Sequence, residues 1–318
     1  MKVLLIDVDS TIPNLALMKI SAYHKARGDE VGFNISDPDK IYASVIFKKN
    51  RHHVDGLKMF YPNAELDIGG SGYDLEKKLP EEIDAMVPDY DLYPDCDTYY
   101  GFTTRGCIRN CYFCIVRRKE GKFRRLYETV DEMWDHIMPP GMRKFDKVTF
   151  LDNNILADKE WFLELARELD YRRYGYKVDF NQGLDIRLVD REIAEAIAKM
   201  HPISVWRFAF DDMGYKDDVI RGIQILKDAG INTRNRCMFY IYCHDDDHYD
   251  DALNRMRILK ENNASAYLML NMDALKTPRM RALKRWSRPW LFWSIDMDEY
   301  VGESKTKIKM AKAKKVVV

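Results

Sequence analysis

The first 95 residues contain no cysteine, and no apolar run in the 318-residue chain approaches the ~20 residues that a bilayer-spanning helix needs. The opening Met1-Lys2-Val3-Leu4-Leu5-Ile6 is broken by Asp7 and Asp9 too early for a secretory signal, so a cytoplasmic protein without a membrane segment is expected. Net charge is missing as well. The 51 Lys+Arg balance 51 Asp+Glu, so no global field draws the molecule toward nucleic acid or an anionic bilayer, and any basic patch must be local. With 16 glycines and 11 prolines the chain is neither collagen-like nor of low complexity. Six cysteines are too few to staple a chain of this length by disulfides. What is present, 46% hydrophobic and 32% charged residues, is a globular composition with room for about two domains.

Apolar runs at 3–8, 40–47 and 64–68, with helical spacing over 15–27 and Gly28 behind it, predict a small parallel α/β domain over residues 1–90. The third run leads into Gly69-Gly70-Ser71-Gly72, either a tight turn or a ligand loop at a strand's carboxyl end. Pro80, Pro88 and Pro94 mark a connection, with a boundary near Tyr90. Beyond it, strand-like runs begin near 98, 147, 177, 205, 235 and 265, with amphipathic stretches at 129–138, 161–169, 190–200, 219–229 and 249–261 between them. The rhythm predicts six βα units, an open or partial (β/α)6 barrel over 91–275, followed by a C-terminal cap and basic tail over 276–318. Sites in such folds lie at the carboxyl ends of the strands.

Three of the six cysteines fall within eight residues, in Arg105-Gly106-Cys107-Ile108-Arg109-Asn110-Cys111-Tyr112-Phe113-Cys114, just after the first of these strands. Three thiolates on one loop can wrap a small centre. A structural zinc site would need a fourth ligand, such as Cys96 or a histidine. A redox pair at Cys111 and Cys114 leaves Cys107 unexplained. A cubane iron–sulfur cluster, usually held by four thiolates, would keep one iron open for a substrate or cofactor.

This C-x-x-x-C-x-x-C loop, with an aromatic before its last cysteine, resembles the radical S-adenosylmethionine (SAM) superfamily over about residues 98–273. The resemblance implies that Cys107, Cys111 and Cys114 hold a [4Fe-4S] cluster whose open iron chelates the amino and carboxylate groups of SAM. It implies that one-electron reduction yields methionine and a 5'-deoxyadenosyl radical that abstracts hydrogen from substrate, that Phe113 sits near the adenine, and that a flavodoxin- or ferredoxin-like donor supplies the electron. The first ninety residues resemble, more weakly, the Rossmann-type cobalamin-binding domain that precedes many such barrels. Its cobalamin-ligating Asp-x-His-x-x-Gly is missing, since Asp7-Val8-Asp9-Ser10-Thr11-Ile12 carries no histidine, and cobalamin is not expected.

Further positions follow from the same resemblance. Asp152, Asn153 and Asn154 occupy the place of the Gly-Gly-Glu-like motif that meets the SAM amino group; their oxygens can accept from an ammonium, or simply build an Asx turn. Gln182 and Asp185 belong to a strand-end stretch that lines the active site in the family, although Asp185 and Arg187 also read as a local ion pair. Asp211 stands where relatives place an acid near the ribose or substrate, or else caps a helix with Asp212. Arg234 and Arg236 are expected on one face of the fifth strand, with Arg236 a partner for the SAM carboxylate.

The remaining features read more plainly. Cys237 and Cys243 are expected as buried thiols, and His244-Asp245-Asp246-Asp247-His248 as a helix cap more than a metal site. The basic stretch Arg117-Arg118-Lys119 with Lys122, Arg124 and Arg125 suits an anionic substrate, the electron donor, or solvent. Trp286, Trp290, Phe292 and Trp293 predict a packed closing segment, and residues 305–315, with six lysines, a basic extension. The expected function is a radical SAM enzyme acting on a small molecule, peptide or nucleic acid. Its Arg-Gly-Cys resembles the methylthiolating subfamily, but the cysteine-free N-terminus cannot carry that subfamily's extra cluster. The alternatives are a zinc-stabilised nucleic-acid-binding module and a catalytically silent scaffold of the same fold.

Overall fold

Apolar runs bounded by polar turns fold as strands and the amphipathic stretches as helices, giving an α/β chain with parallel sheets. The computed structural model describes residues 1–138, 145–270 and 277–300, and the chain divides into two compact units, the first ending at Asn153 and the second starting at Asn154. No helix of the described residues is long and apolar enough to cross a membrane.

The first unit begins with β1 (Lys2–Asp7), α1 (Leu15–Ala26), β2 (Glu30–Gly32), β3 (Lys40–Ser44), α2 (Leu57–Phe60) and β4 (Glu65–Gly69). The four strands lie in the order β2-β1-β3-β4, all parallel. Helix α1 starts where the Asn14 side chain accepts the Leu17 N–H, and the chain leaves it through Gly28 at φ +78°. Val3, Leu5, Leu17, Met18 and Ile41 are buried. The loop after β4 needs its glycines: Gly70 has φ +95°, and a Cβ there would stand 2.3 Å from the Val45 carbonyl oxygen. Gly72 N–H donates to that same oxygen at 2.8 Å, so the loop lies flat on the chain that leaves β3.

The unit continues through α3 (Glu81–Asp84), β5 (Tyr99–Gly101), β6 (Thr104–Arg105), α4 (Val116–Lys119), β7 (Arg124–Arg125), α5 (Val130–Ile137) and β8 (Lys147–Phe150). The proline-marked stretch around residue 90 is packed in. Tyr93 donates to Asp7 at 2.7 Å, Ser21 to Asp89 at 2.6 Å, and the buried Tyr90 hydroxyl accepts the Tyr100 N–H at 2.9 Å. Strand β5 pairs with β8 in parallel, and β6 with β7 antiparallel.

The second unit holds α6 (Lys159–Glu168), α7 (Tyr171–Tyr174), β9 (Lys177–Phe180), α8 (Arg191–Lys199), β10 (His201–Pro202), β11 (Trp206–Ala209) and α9 (Lys216–Asp228). After these come α10 (Thr233–Arg236), β12 (Cys237–Cys243), α11 (Tyr249–Glu261), β13 (Ser265–Leu270), α12 (Pro278–Trp286) and α13 (Pro289–Ser294). Strands β11, β12 and β13 form a parallel sheet in that order, and β9 pairs with β10. Phe208 faces Phe239 across the β11–β12 register with ring centroids 5.1 Å apart, a stacked pair in the core. The Asp190 carboxylate caps α8 by accepting the Ile193 N–H at 3.0 Å.

Along the chain, β5, β8, β9, β11, β12 and β13 are separated in turn by α5, α6, α8, α9 and α11, the alternation that the hydrophobic periods predict. One placement is corrected. Arg234 and Arg236 are not on the fifth strand: they belong to the single turn α10, entered through Asn232, whose side chain accepts the Asn235 N–H. Polar Thr-Arg-Asn-Arg lacks the apolar residues to continue the strand backwards, and the strand begins at Cys237. The aromatic closing segment packs in part as expected: Trp286 and Phe292 are buried 5.1 Å apart and Trp293 Nε1 donates to Ser265 Oγ at 3.0 Å, whereas Trp290 is exposed. The basic extension at 305–315 lies outside the described residues.

Replacing Gly70 with alanine should destabilise the chain by about 1–3 kcal/mol, because the positive φ and the Val45 backbone leave the methyl no room. Urea unfolding of the full chain checks this; an unshifted midpoint contradicts the close approach.

Candidate functional site

The cysteine loop is rooted at both ends. Strands β6 and β7 close it as an antiparallel pair, Thr104 opposite Arg125 and Arg105 opposite Arg124. Gly106, buried at φ +78°, lies so close to the Lys122 carbonyl oxygen that a Cβ would stand 2.2 Å from it, and its N–H donates to Asn153 Oδ1 at 3.0 Å. Within the loop, Arg109 N–H lies 3.3 Å from Cys107 Sγ, Cys114 N–H donates to the Cys111 carbonyl at 3.0 Å, and Arg117 Nη1 donates to the Cys107 carbonyl at 3.1 Å. All six cysteines stand as thiols; Cys107 and Cys111 are half-buried and Cys114 is exposed. Phe113 is half-buried, its ring edge-on to the exposed Tyr112 at 5.2 Å.

Asp152, at the end of β8 and 4% exposed, has its carboxylate already engaged. Oδ1 accepts from Thr103 Oγ1 at 2.6 Å, from Thr104 N–H at 2.6 Å and from Thr104 Oγ1 at 2.7 Å, and Oδ2 accepts from Thr103 N–H at 3.0 Å. Burial pushes its pKa above the usual carboxylate range, while these donors pull the other way by favouring the anion. The carboxylate that the resemblance expects at the SAM ammonium accepts from two consecutive threonines and so holds the approach to Cys107. Asn153 does the same for Gly106, and thus serves the loop through position.

In the second unit, Asn154 is buried and its Nδ2 lies 3.4 Å from Asp185 Oδ2. Asp185 forms the local ion pair anticipated with Arg187, two-pronged at 2.6 and 3.1 Å, and also caps the turn that follows it. Arg187 lies over the Tyr215 ring at 4.4 Å, and the Tyr215 hydroxyl accepts the Asp211 N–H at 2.6 Å. Asp211 Oδ1 accepts the Tyr242 N–H at 2.7 Å; burial raises its pKa, against that hydrogen bond and the nearby Arg255 and Arg187. The helix-capping role falls to Asp212, which accepts the Gly214 N–H. Gln182 is exposed, with Nε2 3.2 Å from Asn181 Oδ1. Arg236 is exposed on α10, immediately before the amino end of β12, whereas ligand sites in parallel α/β sheets form at the carboxyl ends.

Sequence reasoning missed Arg255. It is 2% exposed on α11, and its guanidinium donates to the carbonyls of Phe210 at 2.8 Å and Tyr242 at 3.0 Å, closing the carboxyl ends of β11 and β12. The available signal was its place on the same helix stripe as Ala252, Met256 and Leu259. Cys237 and Cys243 are buried on one face of β12, and burial pushes their thiols up to about 12 and about 11, which suits packing and not metal ligation. The acidic run is spent on structure: Asp245 pairs with His248, and Asp246 with Thr277 and Arg279.

For an iron–sulfur cube the loop offers donors of the right kind and number, three reachable thiols within eight residues. Among the described residues no three His, Cys, Asp or Glu side chains stand as a group able to hold a metal ion. Set against family models and curated proteins, the chain matches none.

Asp152→Asn should cost about 2 kcal/mol, since an amide cannot accept from four donors and turns its own N–H toward one of them. Chemical denaturation measures it, and a variant as stable as the parent would show that the threonine clamp is idle.

Proposed function

We propose that this protein is a radical SAM enzyme, with Cys107, Cys111 and Cys114 as the three ligands of a [4Fe-4S] cluster. The observation that carries the reading is the C-x-x-x-C-x-x-C spacing on a loop rooted by Asn153, Gly106 and the β6–β7 pair. When bound, the cluster would supply one-electron cleavage of SAM to methionine and a 5'-deoxyadenosyl radical, the hard chemistry that cofactors bring. The chain's own part is position. The Asp152–Thr103–Thr104 clamp and the Gly106 turn fix where the first thiol leaves the fold, and Phe113 offers an aromatic face two residues after Cys111. Asp211 offers a carboxylate oxygen to a ribose hydroxyl.

In this reading β5, β8, β9, β11, β12 and β13 are the strands of a partial (β/α)6 barrel, and residues 1–90 are a cobalamin-free relative of the domain that precedes such barrels. A flavodoxin- or ferredoxin-like donor would reduce the cluster, and a reducing cytoplasm suits a loop of three reactive thiols.

Anaerobic iron and sulfide analysis tests the reading directly. About four iron and four acid-labile sulfide per chain are expected, falling to background in Cys111→Ala, with 5'-deoxyadenosine released when the parent is mixed with SAM and reductant. One zinc per chain without sulfide would replace the enzyme with a zinc-stabilised module. A loaded cluster without 5'-deoxyadenosine would make it a silent scaffold.

A further inference from the structure

The first unit carries a half-open cavity of about 640 Å³ that the cysteine chemistry does not use. Its volume falls in the range of small-molecule sites. The carboxyl ends of β3 and β4 reach it through Ser44, Gly69 and Gly70, the edge at which parallel sheets bind ligands. Apolar body is supplied by Leu15, Leu126 and Ile137, and Tyr100 and Tyr127 add rings. Burial pushes the Tyr127 hydroxyl up to about 12, so it stays a neutral donor.

The ionised groups of the wall do not balance. Six cations, Lys19, Lys77, Lys78, Arg105, Lys119 and Arg124, meet five carboxylates, Asp67, Glu81, Asp84, Glu120 and Glu132. Pairing locates the excess. Lys77 is held by Asp67; Lys19 and Arg105 share Asp84; and Arg105 also takes Glu120. Lys78 and Arg124 are exposed, as are Glu81 and Glu132, and these offset one another in solvent. That leaves the ammonium of Lys119, half-buried, donating to the neutral Ser71 hydroxyl at 2.7 Å. Burial lowers its pKa; Glu120 opposes this, but that carboxylate is bound to Arg105, whose own charge pushes Lys119 further down.

We propose that this cavity binds a small organic anion, its carboxylate or phosphate group held by Lys119 beside the Arg105 guanidinium, and its planar apolar body lying along Leu126, Tyr127 and Ile137. The volume accommodates a single aromatic or sugar-sized ring system. The inference rests on the cavity alone and stands apart from the reading of the cysteine loop, because binding is measured without iron or SAM.

Calorimetry or ligand-observed NMR on the full chain as purified, with benzoate, phenyl phosphate and neutral benzamide as probes, tests it. One or both anions should bind, benzamide should not, and the better of the two anions identifies the group. Lys119→Gln should weaken that anion at least tenfold, and Lys119→Arg should keep most of its affinity. If Lys119→Gln does not fold, the parent decides: anion binding should fall as sodium chloride is raised, with benzamide still silent. Absence of binding by both anions, equal binding of benzamide, or an affinity indifferent to Lys119→Gln overturns the proposal.

Discussion

A carboxylate withdrawn from water at Asp152 determines where the cysteine loop leaves the fold. Burying an unpaired charge costs several kcal/mol, so the residue is tolerable there only with its lone pairs filled. Two neighbouring threonines fill them, each giving a backbone N–H and a hydroxyl from one short residue to the same carboxylate. The consequence runs along the chain. Thr103 and Thr104 are pinned, Arg105 pairs with Arg124 across the ladder, Gly106 turns with positive φ under Asn153, and Cys107 follows from a rigid root. The thiol positions are thus set by a polar network lacking any metal ligand.

Much of this fold was legible because burial imposes a period. The alternation in Cys-Met-Phe-Tyr-Ile-Tyr-Cys, buried at every second residue, could only be a strand, and Gly28 and Gly230 stop helices by taking φ values that other residues avoid. The cysteine loop was legible from spacing. What could not be read was the direction in which a polar residue spends its hydrogen bonds. Asp152 was read from its place at a family motif after a strand, whereas its threonine partners lie 48 and 49 residues back in sequence, a range that no local pattern announces. Arg255 was hidden for the same reason: a charged residue on a helix reads as solvent-facing until its acceptors, the strand-end carbonyls of Phe210 and Tyr242, are seen. Arg236 failed differently. Strand ends are decided by where side chains stop packing, and a polar four-residue turn gains more from its Asn232 cap than from extending the ladder.

The second unit repeats the principle at its strand ends. Strands β11 and β12 finish in carbonyls that need donors, and a parallel sheet offers none beyond its last ladder bond. Arg255 supplies them from the helix side, while Asp211 accepts the Tyr242 N–H. The two charges are opposite, and their attraction offsets part of the cost of burying each. Asp185 and Arg187 form a second such couple, extended through the Tyr215 ring to the Asp211 backbone. Side chains linked this way hold one another's rotamers and keep the strand ends ordered.

A chain with no net charge carries a basic run just past its cysteines, and two cations of that run make contacts close by. Arg117 reaches the Cys107 carbonyl and so ties the short helix to the root of the loop. Lys119, only two residues beyond Arg117, points its charge elsewhere, to Ser71 beside the glycine turn. One short helix therefore makes two contacts: Arg117 ties it to the Cys107 carbonyl, and Lys119 at its end places a cation at the cavity wall, where Arg105 already holds Asp84 and Glu120.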